Sequence, residues 1–236
     1  MTDQQGKLYL VPTPIGNMGD ITARAREVLS QVELIACEDT RHSGALLRKL
    51  DIKKRLIAYH EFNERSRADQ IAHRISEGES VAVITDGGSP GISDPAYRVV
   101  RAAIDSGIEI EPLPGATAII PALTASGLPT DRFFFEGFLP PKSTARKKRL
   151  EKIGSFEHTL VFYESPHRVG KSLGDMLEVL GDRRACLARE ISKKFEQFVR
   201  GSLSQLTGQF ADRKVKGEIV LVVAGAETRK TRTTNE

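Results

Sequence analysis

Residues able to do acid–base or ionic chemistry fall in a few tight groups. Glu164-Ser165-Pro166-His167-Arg168 sets a carboxylate, a hydroxyl, an imidazole and a guanidinium in one turn. Such a turn holds proton-acceptor and phosphate-binding types side by side; a helix start bonded only to its own backbone is the plainer alternative. Glu38-Asp39-Thr40-Arg41-His42 is a second polar cluster, at the end of an apolar run. It is either a site or a solvated turn in which Thr40 caps a helix. Asp86 opens a third group, Thr85 to Pro95, with glycines at 87, 88 and 91. There the backbone can come close to a ligand beside a carboxylate. The densest positive patch is Lys142 to Lys152, where six basic residues face one acid, Glu151, in eleven positions. Lys142, Arg146, Lys147, Lys148, Arg149 and Lys152 together would bind a phosphate backbone by releasing counterions; a solvated helix face is the alternative. The two cysteines, Cys37 and Cys186, have no metal-ligand spacing, so no metal site is expected.

The elements that carry these groups alternate. Leu8–Val11, Glu33–Cys37, Arg55–Tyr59, Val81–Ile84 and Ile108–Pro112 read as strands. Between them Asp20-Ile-Thr22 opens a helix to about Val32 with Ala25, Val28 and Leu29 on one face, followed by helices at 43–50 and 65–77. Asp94-Pro95 reads as an N-cap and first helical residue for a helix over 96–103. Repeated strand and helix predict a mainly parallel sheet with helices on its faces. Ligands bind such sheets at the carboxyl ends of the strands. The loops of Pro12 to Asn17, Thr85 to Pro95 and Leu113 to Thr117 all lie there. The last of them is expected to open a helix over 118–125, whose first N–H groups attract anionic oxygens.

The second half differs in character. Arg132 to Phe138 reads as an aromatic strand, with Phe133 and Phe135 facing one way and Phe134 the other. Core packing fits this run better than base stacking. A basic helix over 143–153 follows, then a strand over 159–163 and a helix over 169–180 with Pro166 at its first position. Strands at 185–188 and 195–201, the latter pairing antiparallel, precede a helix from Leu203 to Arg213 and a last strand over 217–223. Domains are expected at 1–113 and 114–225, with a polar, disordered tail over 226–236. A charged share of 28% beside an apolar share of 39% fits a soluble globular chain. No apolar run approaches the roughly 20 residues of a membrane span. The stretch Met1 to Lys7 lacks a signal-peptide core, so the cytoplasm is the expected compartment. A net charge of +4 tolerates a polyanionic partner without requiring one.

Seven motifs then occur in order: Val11-Pro-Thr-Pro-Ile-Gly-Asn17, Cys37-Glu-Asp-Thr-Arg41, Thr85 to Pro95, Pro114-Gly-Ala-Thr117, Phe135-Glu-Gly-Phe138, Phe162-Tyr-Glu-Ser-Pro-His-Arg168 and Ala188-Arg-Glu190. Together they closely resemble the ribosomal RNA ribose 2′-O-methyltransferases of the tetrapyrrole methylase superfamily, from about Lys7 to Val223. The first loop has a single glycine where the wider superfamily is often richer, which fits the ribosomal RNA branch. The resemblance implies an α/β fold of two α/β/α domains with S-adenosylmethionine in a cleft between them, and a homodimer. It implies methylation of the ribose 2′-hydroxyl of a cytidine in the decoding region of small-subunit ribosomal RNA, naked or in the assembled subunit. It places the cofactor against Pro12, Pro14 and Gly16 of the first loop. From the second loop it adds Asp86, Gly87, Gly88, Ser89, Pro90, Ile92 and Ser93, and from the third Pro114, Gly115, Ala116, Thr117 and Ala118. A ribose hydroxyl is a poor nucleophile, so a base or cation near it would help. Glu164, His167, Arg168, Glu190 and Lys193 are the catalytic candidates. The alternatives are a corrinoid or porphyrinoid precursor methyltransferase of the same fold, and an RNA-binding module without catalysis.

Overall fold

Val81–Ile84, three of its four residues β-branched, is buried at every position. A strand hidden on both faces needs neighbours on both sides and helices above and below. The computed structural model supplies them, and describes residues 6–211 and 214–227. Met1 to Gln5, the expected helix end at Arg213 and the tail from Thr228 lie outside the described residues. The chain divides into two compact units between Thr117 and Ala118, beyond the boundary expected after Leu113. The residues after Leu113 stay with the first unit because they bond to it: the Ser89 hydroxyl donates to the Ala116 carbonyl at 3.2 Å.

The first unit holds β1 (Lys7–Leu10), β2 (Leu34–Cys37), β3 (Arg55–Ala58), β4 (Val81–Ile84) and β5 (Glu109–Pro112). They form one sheet in the order β3-β2-β4-β1-β5, parallel throughout. Helices α1 (Ala23–Gln31) and α2 (Thr40–Lys49) cover one face through Val28, Leu29 and Leu47. Helices α3 (Glu64–Ser76) and α4 (Tyr97–Asp105) cover the other through Ile71, Ile75 and Val99. Each fully buried Leu, Ile or Val in these layers contributes roughly 1.5–3 kcal/mol. Thr22 starts α1 by accepting the Ala25 N–H at 3.0 Å. At α2 the cap is Asp39, which accepts the Arg41 N–H at 2.8 Å; Thr40, expected as the cap, is already helical. Nor does Asp94 cap α4. Ser93 turns the chain with a φ of 63°, and the helix begins only after Ala96, with no side-chain cap.

The second unit holds β6 (Phe133–Phe138), β7 (Thr159–Glu164), β8 (Arg184–Arg189), β9 (Gln197–Ser202) and β10 (Ile219–Val223). The order is β6-β7-β10-β8-β9. Here β6 and β7 are parallel, β10 is antiparallel to β7 and β8, and β9 is antiparallel to β8. The central β10 is buried at every position, as its composition requires. Helices α6 (Ser143–Ile153), α7 (Val169–Leu180) and α8 (Leu203–Phe210) share one core with the sheet through Leu150, Leu173, Met176 and Phe210. The short α5 (Ile119–Thr124) packs against β10. In β6 the aromatics pack, with Phe134 edge-on to Phe156 and Phe135 edge-on to Tyr163, each pair 5.0 Å between ring centroids. A register shift between Phe135 and Gly137 then brings Phe138 to the same tyrosine.

The basic helix α6 is less of a patch than its sequence suggests. Arg146 is 2% exposed. Its guanidinium pairs with Asp175 at 2.6 Å and donates to the Pro140 and Pro141 carbonyls. Lys147 pairs with Glu178 at 2.6 Å, and Arg149 grips Glu136 through two nitrogens. Arg146 therefore tethers α6 to α7 from inside and is removed from the expected RNA-contacting set. Lys142, Lys148 and Lys152 remain exposed. Removing one partner of a buried pair strands the other charge. Arg146→Ala is expected to lower unfolding stability in urea by about 3–5 kcal/mol. A loss below about 1 kcal/mol would show that Asp175 is not held inside by this pair.

Candidate active site

In a parallel sheet a crevice opens where neighbouring strands send their chains to opposite faces. Strand β4 leads to α4 on one face, while its neighbours β1 and β2 lead to α1 and α2 on the other, so crevices flank β4 on both sides, and loop backbone spans the one toward β1. Thr13 and Gly88 form an isolated antiparallel bridge there, each N–H donating to the other's carbonyl at 3.0 and 2.9 Å. The buried Thr13 hydroxyl donates to the Thr85 carbonyl at 3.0 Å. Gly88 sits at a φ of 95°, which only glycine adopts cheaply. The loop after β5 joins the same wall. A Cβ on Gly115 would lie 2.6 Å from the Pro12 Cβ, so only glycine lets these two loops touch.

The predicted cofactor residues therefore divide by position. Pro12 and Gly88 are buried and hold the loops to one another. Gly16, Asp86, Gly87, Ile92, Ser93, Pro114 and Gly115 are exposed along them. Pro14, Ser89, Pro90, Ala116, Thr117 and Ala118 are half-buried. Ala118 belongs to the second unit, where it precedes α5. That helix is shorter than expected, Ile119–Thr124, and no side chain caps it.

A set of carboxylates accompanies these loops. Cys37 pairs with Ile84 in register, which brings Glu38 out beside Thr85 and Asp86. Burial pushes the Asp94 carboxyl up to about 6, and the charges of Glu38 and Asp86 push it the same way. Burial also raises Glu38, with Asp86 adding to it and His60 opposing it. Three carboxylates thus feel one another at the ends of β2 and β4. The buried Nδ1 of His60 has no hydrogen-bond partner. Asp39 plays a different part: its Arg41 neighbour holds it down at about 2, and the pair serves the cap of α2. The sequence reading singled out Glu38 and Asp86 but took Asp94 for a helix cap. The available signal was that Asp94 shares a glycine loop with Asp86.

S-adenosylmethionine carries a sulfonium, an ammonium, a carboxylate and ribose hydroxyls. The donor and acceptor set here fits that group: exposed glycine backbone, three carboxylates and an unpartnered imidazole nitrogen.

The catalytic candidates all lie at one end of the second sheet. Glu164 ends β7 and Arg189 ends β8, and both pair with Ile219 at the start of β10. Glu164 is 2% exposed. It accepts the Ser165 N–H at 2.7 Å, the Arg168 Nε–H at 2.9 Å and the Ser172 hydroxyl. Both its oxygens accept hydrogen bonds, and through them it orients Arg168. Pro166 lies before α7 rather than at its first position, since Arg168 is the cap. His167 is exposed. Glu190 pairs with Lys193 at 3.1 Å, and Lys193 pairs also with Glu218 at 2.8 Å. Burial lowers the Lys193 pKa, but the hydrogen bonds to Glu218 and Glu190 outweigh it and the net shift is upward. Lys193 is thus held as an ammonium, a cation and not a base.

Asp94 supplies a pH test. Its folded pKa of about 6 lies above the ordinary 3.8. Below 3.8 it is neutral folded and unfolded, and no penalty applies. As pH rises through about 6 the folded state must accept a crowded charge and loses stability. Asp94→Asn removes that charge. Its melting temperature is expected to gain on wild type between about pH 4 and 6 and to hold a constant lead above about pH 7. Parallel curves across that range would contradict this environment for Asp94.

Comparison with known proteins agrees with this architecture. The family model described as tetrapyrrole (corrin/porphyrin) methylases matches residues 7–207. "Ribosomal RNA small subunit methyltransferase I" of Micromonospora olivasterospora is 48% identical over 222 residues, covering 94% of this chain and 71% of that protein. The protein of the same name from Vibrio cholerae is 50% identical over 221 residues, covering 92% and 77%. The solved structure of the methyltransferase CobJ superposes with a TM-score of 0.68 at 22% identity, covering 95% of this chain and 96% of that one, a likeness of fold. With the matched model spanning both units, the chain belongs to the tetrapyrrole (corrin/porphyrin) methylases.

Proposed function

We propose that the chain methylates the ribose 2′-hydroxyl of a cytidine in the decoding region of small-subunit ribosomal RNA, with S-adenosylmethionine as donor. The observation that carries this reading is identity near 50% over more than nine-tenths of the chain to proteins named as small-subunit ribosomal RNA methyltransferases. The corrinoid and porphyrinoid alternative rests on fold likeness below 25% identity and is set aside. No helix among the described residues is long and apolar enough to cross a membrane. The reading carries with it a cytoplasmic location and a homodimer.

The bound cofactor supplies a methyl group on a positively charged sulfur. The exposed backbone of Gly87 to Ile92, with Gly16, Pro114 and Gly115, would hold its adenosine and amino-acid ends. Glu38, Asp86 and Asp94 would attract its cationic groups. That attraction would act already in the bound ground state. The carboxylates therefore contribute affinity more than rate. The rate would come from holding the ribose hydroxyl against the methyl donor, and such positioning is worth up to about 7–11 kcal/mol. Arg168, oriented by Glu164, and the exposed Lys142, Lys148 and Lys152 would meet RNA phosphates in this reading.

Primer extension at low nucleotide concentration stops at a 2′-O-methylated ribose. The stop in small-subunit RNA is expected to vanish when the gene is deleted and to return on complementation. A stop that persists in the deletion strain sinks the proposal. Asp86→Asn separates affinity from rate: KM for S-adenosylmethionine is expected to rise about tenfold with kcat changed less than about twofold. A tenfold fall in kcat at saturating cofactor would instead give Asp86 a part in the transfer step.

A further inference from the structure

The segment after β8 does not end in a catalytic base, since Glu190 and Lys193 neutralise each other. It builds a groove instead. A volume of about 370 Å³ lies among Arg189, Glu190, Phe195, Phe210 and the chain from Lys214 to Lys216. That falls in the roughly 300–1,000 Å³ range of small-ligand sites. Phe210 and Val215 are buried and make its floor apolar. Lys214 and Lys216 are exposed at its rim, without an ion pair among the described residues. Phe195 is 66% exposed, and the Lys194 ammonium lies 5.7 Å from its ring centroid.

The loop that presents Phe195 is fixed at a cost in backbone strain. Glu190 and Ser192 both sit in the left-handed region, at φ 52° and 68°, where side-chain-bearing residues are uncommon. Strain of this kind persists where the surroundings over-determine it, and it clusters at functional sites. Here the Glu190 N–H donates to the Glu218 carbonyl at 3.0 Å, and the Ser192 N–H donates to the Glu196 carboxylate at 2.8 Å. Gly217 leaves the space that the Glu190 side chain fills. The loop is thus a rigid mount for an exposed aromatic ring beside exposed lysines.

An aromatic face next to cations is the pattern that holds single-stranded nucleic acid, by base stacking and phosphate attraction. The geometry points to this groove as a second contact for the RNA substrate, taking one unpaired nucleotide with its base on Phe195 and its phosphates at Lys214 and Lys216. The proposal rests on the RNA reading above. The net positive rim favours a polyanion over an apolar peptide. The contact also takes up the Ala188-Arg-Glu190 motif, which proton transfer leaves without a role.

The test uses the full chain and a fluorescein-labelled single-stranded RNA of the decoding-region sequence, read by anisotropy across a salt series. Methyl transfer to small subunits from cells lacking the modification is followed in parallel. Phe195→Ala is expected to weaken RNA binding about tenfold. Lys214→Ala with Lys216→Ala is expected to flatten the slope of log affinity against log salt by about 1.4, at about 0.7 for each phosphate no longer neutralised. Cofactor binding heat and melting temperature should stay at wild-type values in both, and Lys53→Ala should leave RNA affinity unchanged. A wild type that methylates the subunit yet fails to hold the single strand overturns the groove alone, as do variants that hold it as tightly as wild type. Loss of affinity for the subunit with full affinity for naked RNA gives the groove to a ribosomal protein and likewise overturns it. A wild type that neither binds RNA nor methylates overturns the RNA reading together with the groove.

Discussion

Two hydrogen bonds between Thr13 and Gly88 set the geometry of the candidate site. They join the loops that leave β1 and β4 at the point where the chain turns to opposite faces of the sheet. Without them each loop would be a free connection with its own conformational entropy. With them, the third loop can close against the pair through Gly115 on Pro12 and Ser89 on Ala116. The result is a wall of backbone. It suits a ligand recognised mainly through N–H and C=O groups, and it explains why prolines and glycines outnumber charged residues in these loops.

The charges that remain are sorted by sign. Carboxylates gather at the ends of β2 and β4, where burial and neighbouring carboxylate charge raise Glu38 and Asp94. Cations gather in the second unit. Their number in the sequence overstates their reach. Three of the six basic residues at α6 are bound by Asp175, Glu178 and Glu136, and one of them is inside the protein. A run of like charge along a helix is a prediction about composition. Whether it is a surface patch depends on acids elsewhere in the chain. By the same logic Lys193 is not a base, because two acids hold its proton, whereas Lys214 and Lys216 stand exposed beside a groove.

Much of the fold was legible because it depends on local signals. Alternating strand and helix, the start of α1 near Thr22 and the glycines at 87 and 88 are readable from a few neighbouring residues. The site was legible where its pieces lie in such loops. What escaped depends on contacts distant in sequence. Arg146 meets Asp175, which lies on the next helix. Asp94 is raised by burial and by the charge of Glu38, which stands at the end of another strand. Glu164 is bonded by Ser172, one turn into α7. Local competition accounts for the remaining errors. Asp39 and Thr40 are both good caps, and only the observed backbone decides for Asp39. The antiparallel central strand β10 also reads from composition as a buried strand, but its direction does not.

The central claim is transfer of a methyl group to a ribose oxygen of ribosomal RNA. It is tested most directly by incubating the purified chain with methyl-labelled S-adenosylmethionine and small subunits from cells lacking the modification, then digesting the RNA to nucleosides. The account predicts label in 2′-O-methylcytidine. Label on a base, or no label in the RNA while the cofactor binds, would contradict it.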